Sequence, residues 1–269
     1  YSGSKLKFHK STAMFLEKML PRGSRLQRQE AYERLLQDLK HPEQASWEIP
    51  ETVTASLRPY QVVGYQWLKT LAHYGMGGIL ADDMGLGKTL QAIVYICSFP
   101  GQKTLIVCPT SLAYNWQDEF QKFAPSIRTC IVQGTPEERE ELIAGRQGDY
   151  DVWITTYPLI RKDTKSYQQQ KYDHIFLDEA QFIKNPSSLG AKAVKSIPAD
   201  NRFALTGTPI ENALSELWSI FDFIMPGFFM KYSRFADAYE KPILKEHDQN
   251  KMKELRTRIQ PFVLRRMKK

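Results

Sequence analysis

From Leu57 onward the chain alternates short apolar runs with helical stretches, and that alternation limits the folds open to it more than any other feature. The apolar runs lie at 78–81, 104–108, 129–132, 152–155, 175–177 and 203–206. Helical periodicity occupies 60–74, 89–97, 111–123, 136–144 and 189–196, between most of them. A strand that reads as an uninterrupted apolar run is covered on both faces, as happens when parallel strands are joined by crossover helices. The pattern therefore predicts an α/β domain: a parallel sheet with helices on both faces, in three α/β/α layers. In open sheets of this kind ligands bind outside the carboxyl ends of the strands, so any chemistry is expected just after each apolar run.

The first fifty residues follow another pattern. Phe15, Met19, Leu35, Leu36 and Leu39 recur at helical spacing over 11–40, interrupted by Pro21-Arg22-Gly23. Residues 41–56 carry Pro42 and Pro50 with little periodicity and read as a linker. The expected organisation is a helical extension and linker over 1–50 and one large domain over 51–269. Charge is unevenly spread: residues 1–40 carry +5 and residues 251–269 carry +7 in a chain of net +7, which leaves −5 for 41–250. Basic ends can hold a polyanion, or can be no more than solvated helical faces. No run of about 18 apolar residues exists, so no membrane span is expected, and no secretory signal is visible. The chain begins at Tyr1 rather than Met and reads as an excised or processed piece. Cys97, Cys108 and Cys130 are odd in number, widely spaced and set among apolar residues, which suits reduced thiols in a cytoplasmic protein rather than a disulfide or metal framework.

Three segments carry chemistry, each at the end of an apolar run. The first is Asp82-Asp83-Met84-Gly85-Leu86-Gly87-Lys88-Thr89. Gly85 and Gly87 let the backbone curl so that amide N–H groups face a phosphate at a helix N-terminus. Lys88 would reach the β/γ-phosphates and the Thr89 hydroxyl would ligate magnesium. The strict phosphate-loop pattern asks for Gly where Asp82 stands. The second segment, 175–181, ends an apolar strand in Asp178-Glu179-Ala180-Gln181. Asp178 would hold magnesium through its water shell, and Glu179 would position or deprotonate an attacking water. The third is Ala204-Leu205-Thr206-Gly207-Thr208-Pro209-Ile210-Glu211-Asn212. Its threonine hydroxyls could contact 178–181 and relay the nucleotide state, although a plain strand-to-helix turn with Pro209 near the helix start explains the same residues.

Taken together and in order, DDMGLGKT, DEAQ and LTGTPIEN resemble the first three helicase signatures of superfamily two in their Swi/Snf-type variant. That variant's phosphate loop typically begins with Asp, as at Asp82, while Asp83 stands where the family usually has Glu. Further segments resemble the same family. Leu57-Arg58-Pro59-Tyr60-Gln61 is similar to its upstream segment, where Gln61 would read adenine. Cys108-Pro109-Thr110-Ser111-Leu112 with Asn115-Trp116, and Ile154-Thr155-Thr156-Tyr157, are similar to its DNA-contacting turns. Phe182-Ile183-Lys184-Asn185-Pro186 follows DEAQ as in its bacterial branch, and the segments 217–219 and 221–223 resemble the helix after the third signature. Residues 261–269 resemble the hinge into a second lobe, with 265–269 either contacting DNA or nucleotide or fraying as a tail.

The resemblance covers roughly 51–269 and implies the first of two RecA-like lobes of a DNA-dependent ATPase, with ATP and magnesium as cofactors. Such a motor moves along duplex DNA through largely sequence-independent backbone contacts, without separating strands, to remodel a protein–DNA complex. Ser111, Asn115, Trp116, Thr155, Thr156, Lys184 and Asn185 are the implied DNA contacts; Gln181, Thr206, Gly207 and Thr208 are the implied coupling residues. The second lobe of the same full-length chain would supply the arginines that complete the ATP site. This piece is then expected to be a monomer that binds nucleotide weakly and turns it over very slowly. A bacterial origin would put it in the cytoplasm with the nucleoid. The alternatives are a helicase acting on RNA or single strands, and a nucleotide-binding scaffold that docks partners through 1–50.

Overall fold

The structure is a computed structural model that describes Arg34 and residues 37–45, 47–146, 148–207 and 214–268. In chain order its main elements are α1 (Pro59–His73), β1 (Gly78–Leu80), α2 (Lys88–Cys97), β2 (Thr104–Cys108), α3 (Ala113–Phe123), β3 (Thr129–Ile131), α4 (Pro136–Ile143), β4 (Val152–Thr156), α5 (Tyr157–Lys162), α6 (Thr164–Gln168), β5 (Tyr172–Leu177), α7 (Leu189–Ser196), β6 (Ala199–Leu205), α8 (Leu214–Ile224), α9 (Tyr232–Phe235), α10 (Lys241–Lys245), α11 (Gln249–Ile259) and β7 (Val263–Leu264). The seven strands form one sheet in the order β3-β4-β2-β5-β6-β1-β7, and every paired neighbour is parallel. Helices flank it in two packed groups, α1 with α2 and α2 with α3 in one, α7 with α5, α6 and α8 in the other. This is the parallel α/β architecture that the alternating pattern predicts, and it suits the RecA-like lobe that the resemblance implies.

The apolar runs become the sheet, most of them buried throughout, with β3 at the edge only partly buried. Every residue of β1, β2 and β4 is buried, as are 174–177 of β5 and 203–205 of β6. The crossover helices bury one stripe each: Trp116 and Phe120 from α3, Ala191 and Val194 from α7. Local sequence sets their starts. Thr135 and Glu138 close a capping box on α4, and Ser188 caps α7 through its hydroxyl.

Where the sequence and the structure differ, a polar or short segment is the cause. Strand β6 begins at Ala199 and runs through Asp200-Asn201-Arg202 before its apolar half, so periodicity alone misses its first residues. Strand β7 has only two residues, too few for any pattern, yet it pairs Val263 with Ile79 and Leu264 with Leu80. The expected helix over 11–40 falls mostly outside the described residues; Arg34 and residues 37–40 are helical. The stretch read as a linker is irregular but packed. Tyr65 donates its hydroxyl to Glu48 O at 2.7 Å, and Trp47 donates its indole N–H to Thr70 Oγ1 at 3.2 Å.

The strand order has one consequence that positions the site. Strands β5, β6 and β1 are adjacent, and Leu177 pairs with Ala204 while Leu205 pairs with Leu80. Their carboxyl ends are therefore level, although they lie far apart in sequence. Residues 81–89, 178–181 and 206–207 emerge together along one edge of the sheet.

Candidate active site

The loop after β1 is built to leave backbone donors free. Gly85 and Gly87 have φ of +84° and +76°, a region that L side chains rarely adopt. Gly87 is the N-cap of α2 and provides no side-chain cap, so the first amides of that helix are left without a side-chain acceptor at a positive dipole end. A Cβ on Gly87 would also stand 2.5 Å from Nε2 of Gln61. The Lys88 ammonium sits over the loop, donating to Asp82 O at 2.6 Å and Asp83 O at 3.4 Å. Lys88, Thr89, Gly85, Gly87 and the exposed Met84 line a cleft of about 340 Å³ together with Asn115, Trp116, Glu119, Asp178 and Glu179.

Across the cleft, β5 ends in the two carboxylates. Asp178 is buried, and each of its oxygens accepts one N–H: Oδ1 from the Glu179 amide at 2.9 Å, Oδ2 from the Trp116 indole at 2.9 Å. Burial raises its pKa, and the Trp116 hydrogen bond and the Lys88 charge oppose that rise. Tyr157, at the end of β4, donates its hydroxyl to the Asp178 carbonyl at 2.8 Å. Glu179 adopts a left-handed backbone at φ 49°. Its Oε2 accepts from Gln181 Nε2 at 2.7 Å, and Gln181 Oε1 accepts from the Thr206 hydroxyl at 3.1 Å. A Cβ on Gly207 would stand 3.1 Å from Met84 Cγ and 3.8 Å from Lys88 Nζ. The third segment thus touches both of the others. Thr208 lies outside the described residues.

Asp82 explains its own presence in a loop whose strict pattern has Gly. It is completely buried, and its carboxylate is held by Arg266, from the chain 184 positions on: the backbone N–H and Nε donate to Oδ1 at 3.0 and 2.9 Å, and Nη2 donates to Oδ2. Gln91 Nε2 donates to the same Oδ2 at 3.3 Å. Asp83 Oδ2 accepts from the Lys268 amide at 3.0 Å. The segment 265–268, open in the sequence between a contact and a frayed tail, is bonded to the phosphate loop.

Gln61 is buried beneath the loop, donating to Leu86 O at 3.3 Å and accepting from the Arg58 amide at 2.9 Å. Ser111, Lys184 and Asn185 are exposed near the strand ends. Asn115, an expected DNA contact, lines the cleft. Three other expected DNA contacts have buried side chains. Trp116 is 1% exposed and its indole N–H donates to Asp178, so its side chain positions that carboxylate. Thr155 is fully buried and Thr156 nearly so, because both sit inside β4. Gln91 and Glu119 are the site residues that motif reading misses, while Arg266 and Tyr157 lie in segments quoted for other contacts. Gln91 left a signal, as an amide side chain opening the otherwise apolar buried run 91–97. Cys108, below the cleft, has its thiol pushed up to about 12 by burial and the Asp178 charge, so it stays protonated and takes no part as a nucleophile.

The donor set fits a magnesium ion carried on phosphates. No group of three or more His, Cys, Asp or Glu able to hold a metal occurs among the described residues. Magnesium needs none, since it takes one or two protein oxygens and fills its octahedron with water and phosphate oxygen. Thr89 and the buried Asp178, whose two oxygens each retain a lone pair, provide such oxygens. Free amides and an ammonium for phosphate, two oxygens for a hard cation and a separate carboxylate for water make up the equipment for phosphoryl transfer to water.

Comparison with known proteins agrees with the geometry. The family model described as SNF2-related domain matches residues 60–269. The chain is 38% identical over 87% of its length to the TATA-binding protein-associated factor MOT1 of Saccharomyces cerevisiae, of which it covers 14%. It is 41% identical over 80% of its length to the putative ATP-dependent helicase/translocase YwqA of Bacillus subtilis, of which it covers 24%. Among solved structures it resembles the Sulfolobus solfataricus SWI2/SNF2 ATPase core in complex with dsDNA, with a TM-score of 0.75 and 40% identity over 82% of this chain and 47% of that one. The chain therefore spans a quarter or less of these curated relatives and about half of that solved core.

Proposed function

The chain belongs to the family of SNF2-related domains, and we propose that it is the ATP-binding lobe of a motor that hydrolyses ATP in response to duplex DNA, moves along it and remodels protein–DNA complexes without separating strands. One observation carries this reading: the level ends of β1, β6 and β5 bring an uncapped helix N-terminus, Lys88, Thr89, Asp178 and Glu179 to a single cleft.

In this reading the amides of Gly85 and of 87–89 and the Lys88 ammonium hold the β- and γ-phosphates, and Gln61 supports the loop beside the base. Thr89 and Asp178 hold magnesium, which would neutralise charge developing on the phosphate oxygens. Trp116 and the Glu179 amide fix the Asp178 carboxylate from two sides. Glu179 orients water and takes its proton, with its position reported through Gln181 to Thr206. Ser111, Lys184 and Asn185 are the exposed candidates for phosphate–sugar contacts on DNA. The arginine finger comes from a second lobe, and such a finger is worth about 10³–10⁵ in rate, so this lobe alone turns over very slowly as a monomer. In a bacterial cell the motor works in the cytoplasm on the nucleoid.

The test is phosphate release by a chain carrying both lobes, without nucleic acid and with duplex DNA, single-stranded DNA or RNA. Strong stimulation by duplex DNA that Lys88→Ala abolishes is the expected result. Stimulation by RNA or single strands alone would replace the reading with a strand-separating helicase, and no stimulation with retained ATP binding would leave a scaffold.

A further inference from the structure

We propose that Arg266 is a positioning residue for ATP binding: through Asp82 it sets the phosphate loop, and it makes occupancy of the cleft depend on where the segment 263–268 lies. This rests on the reading above that the cleft takes ATP. The segment runs alongside the loop as a continuation of the sheet. Ala81 N donates to Leu264 O at 2.7 Å, Asp83 N donates to Arg266 O at 3.0 Å, and Lys268 N donates to Asp83 Oδ2 at 3.0 Å. Every step of the loop's first three residues is thus bonded to the far end of the chain.

Arg266 is the center of that junction. Its fork engages both oxygens of a fully buried carboxylate, donates to Gln91 Oε1 at 2.7 Å and donates through Nη1 to the Tyr60 carbonyl. A buried carboxylate cannot persist without such partners, so Asp82 and Arg266 move together or the pair breaks. Asp82 also presents its carbonyl to the Lys88 ammonium at 2.6 Å. A displacement of the Asp82 side chain is therefore passed through the same residue's carbonyl to the group that meets the phosphate. Only a guanidinium reaches this many acceptors in one plane, which an ammonium does not. Coupling of this kind is reciprocal: if docking of Arg266 favours ATP, ATP favours docking of 263–268. A second lobe attached beyond 268 would thereby sense and set the state of the loop.

The experiment measures affinity for the fluorescent analogue mant-ATP with magnesium on the natural full-length protein. Arg266→Gln and Asp82→Asn are each expected to weaken binding about tenfold or more, the size that loss of a charge-assisted hydrogen bond produces. The double variant is expected to be no worse than either single, and Arg266→Lys to fall between. Arg139→Gln controls for plain destabilisation, because Arg139 forms a comparably buried pair with Asp163 on α4 and away from the cleft; it is expected to lower the melting temperature and leave affinity unchanged. As a second readout, trypsin cleavage after Arg265 and Lys268 is expected to slow several-fold with magnesium and ATP in the wild type and not in Asp82→Asn. Wild-type affinity in Arg266→Gln, with binding lost in Lys88→Ala, would overturn the inference and keep the functional reading. Equal loss in Arg139→Gln, or cleavage indifferent to ATP, would also overturn it. Failure of the wild type to bind the analogue would remove both.

Discussion

Gly64 sits in the middle of α1, where glycine ordinarily costs a helix about 1 kcal/mol relative to alanine. On propensity alone Gly64→Ala should stabilise the protein. The structure reverses the sign. A Cβ at this position would stand 1.8 Å from Oε1 of Gln91, 2.9 Å from its Cδ and 2.9 Å from Nη2 of Arg266. Gln91 is fully buried and would have to retreat by more than an ångström, giving up the bond from Arg266 at 2.7 Å and its own bonds to Asp82 Oδ2 at 3.3 Å and Gly87 O at 3.2 Å. A hydrogen bond to a charged group is worth about 1.5–3 kcal/mol and a neutral one about 1 kcal/mol. Against the helix gain, the net is a loss of about 1–3 kcal/mol, or several degrees in melting temperature at about 2–4 °C per kcal/mol for a chain of this size. Thermal melting of four proteins checks it: wild type, Gly64→Ala, Gln91→Ala and the double variant. Because truncating Gln91 removes the nearest obstacle and opens room for the Arg266 side-chain tip to shift, Gly64→Ala is expected to be neutral or stabilising by up to about 1 kcal/mol in the Gln91→Ala background. A loss of equal size in both backgrounds, or a gain in the wild-type one, would refute the packing argument.

Trp116→Phe keeps an aromatic ring in the core but removes the indole N–H that donates to Asp178, so magnesium-dependent ATP affinity is expected to fall about tenfold and its acid limit to move to higher pH; an unchanged pH profile would show that the indole N–H does not tune the carboxylate. Glu179→Gln retains the hydrogen bond from Gln181 but cannot take a proton, and single-turnover assays are expected to show ATP bound yet unhydrolysed; hydrolysis at the wild-type rate would exclude Glu179 as the base. His174 is fully buried between the Tyr95 hydroxyl and Gln102 Oε1, and burial pushes its pKa from 6.5 down to about 4. The unfolded chain then binds the proton first, so stability is full above pH 6.5 and falls by about 3 kcal/mol as pH drops to 4. Denaturant titrations from pH 7 to 4 should show that slope, and His174→Gln should lose it.

The sequence by itself determined the sheet and its chemistry. Uninterrupted apolar runs between helical stretches admit little other than a covered parallel sheet, and glycine spacing before Lys88-Thr89 or paired acids after an apolar strand are local patterns that survive any packing. The same locality explains what stayed hidden. Trp116 reads as a surface contact because nothing within α3 reveals that its indole faces the end of β5; that meeting depends on β2 and β5 lying side by side. Thr155 and Thr156 look like polar ligands, but a fully covered strand buries its polar members along with the rest. Only the strand order, with β6 between β5 and β1, brings Thr206 to Gln181 and Gly207 to Lys88. Only the pairing of two-residue β7 with β1 carries Arg266 across 184 positions to Asp82. A contact between residues so distant is specified by the register of a sheet, and register is a property of the folded chain as a whole, since the free energy that selects it comes from burying every strand at once.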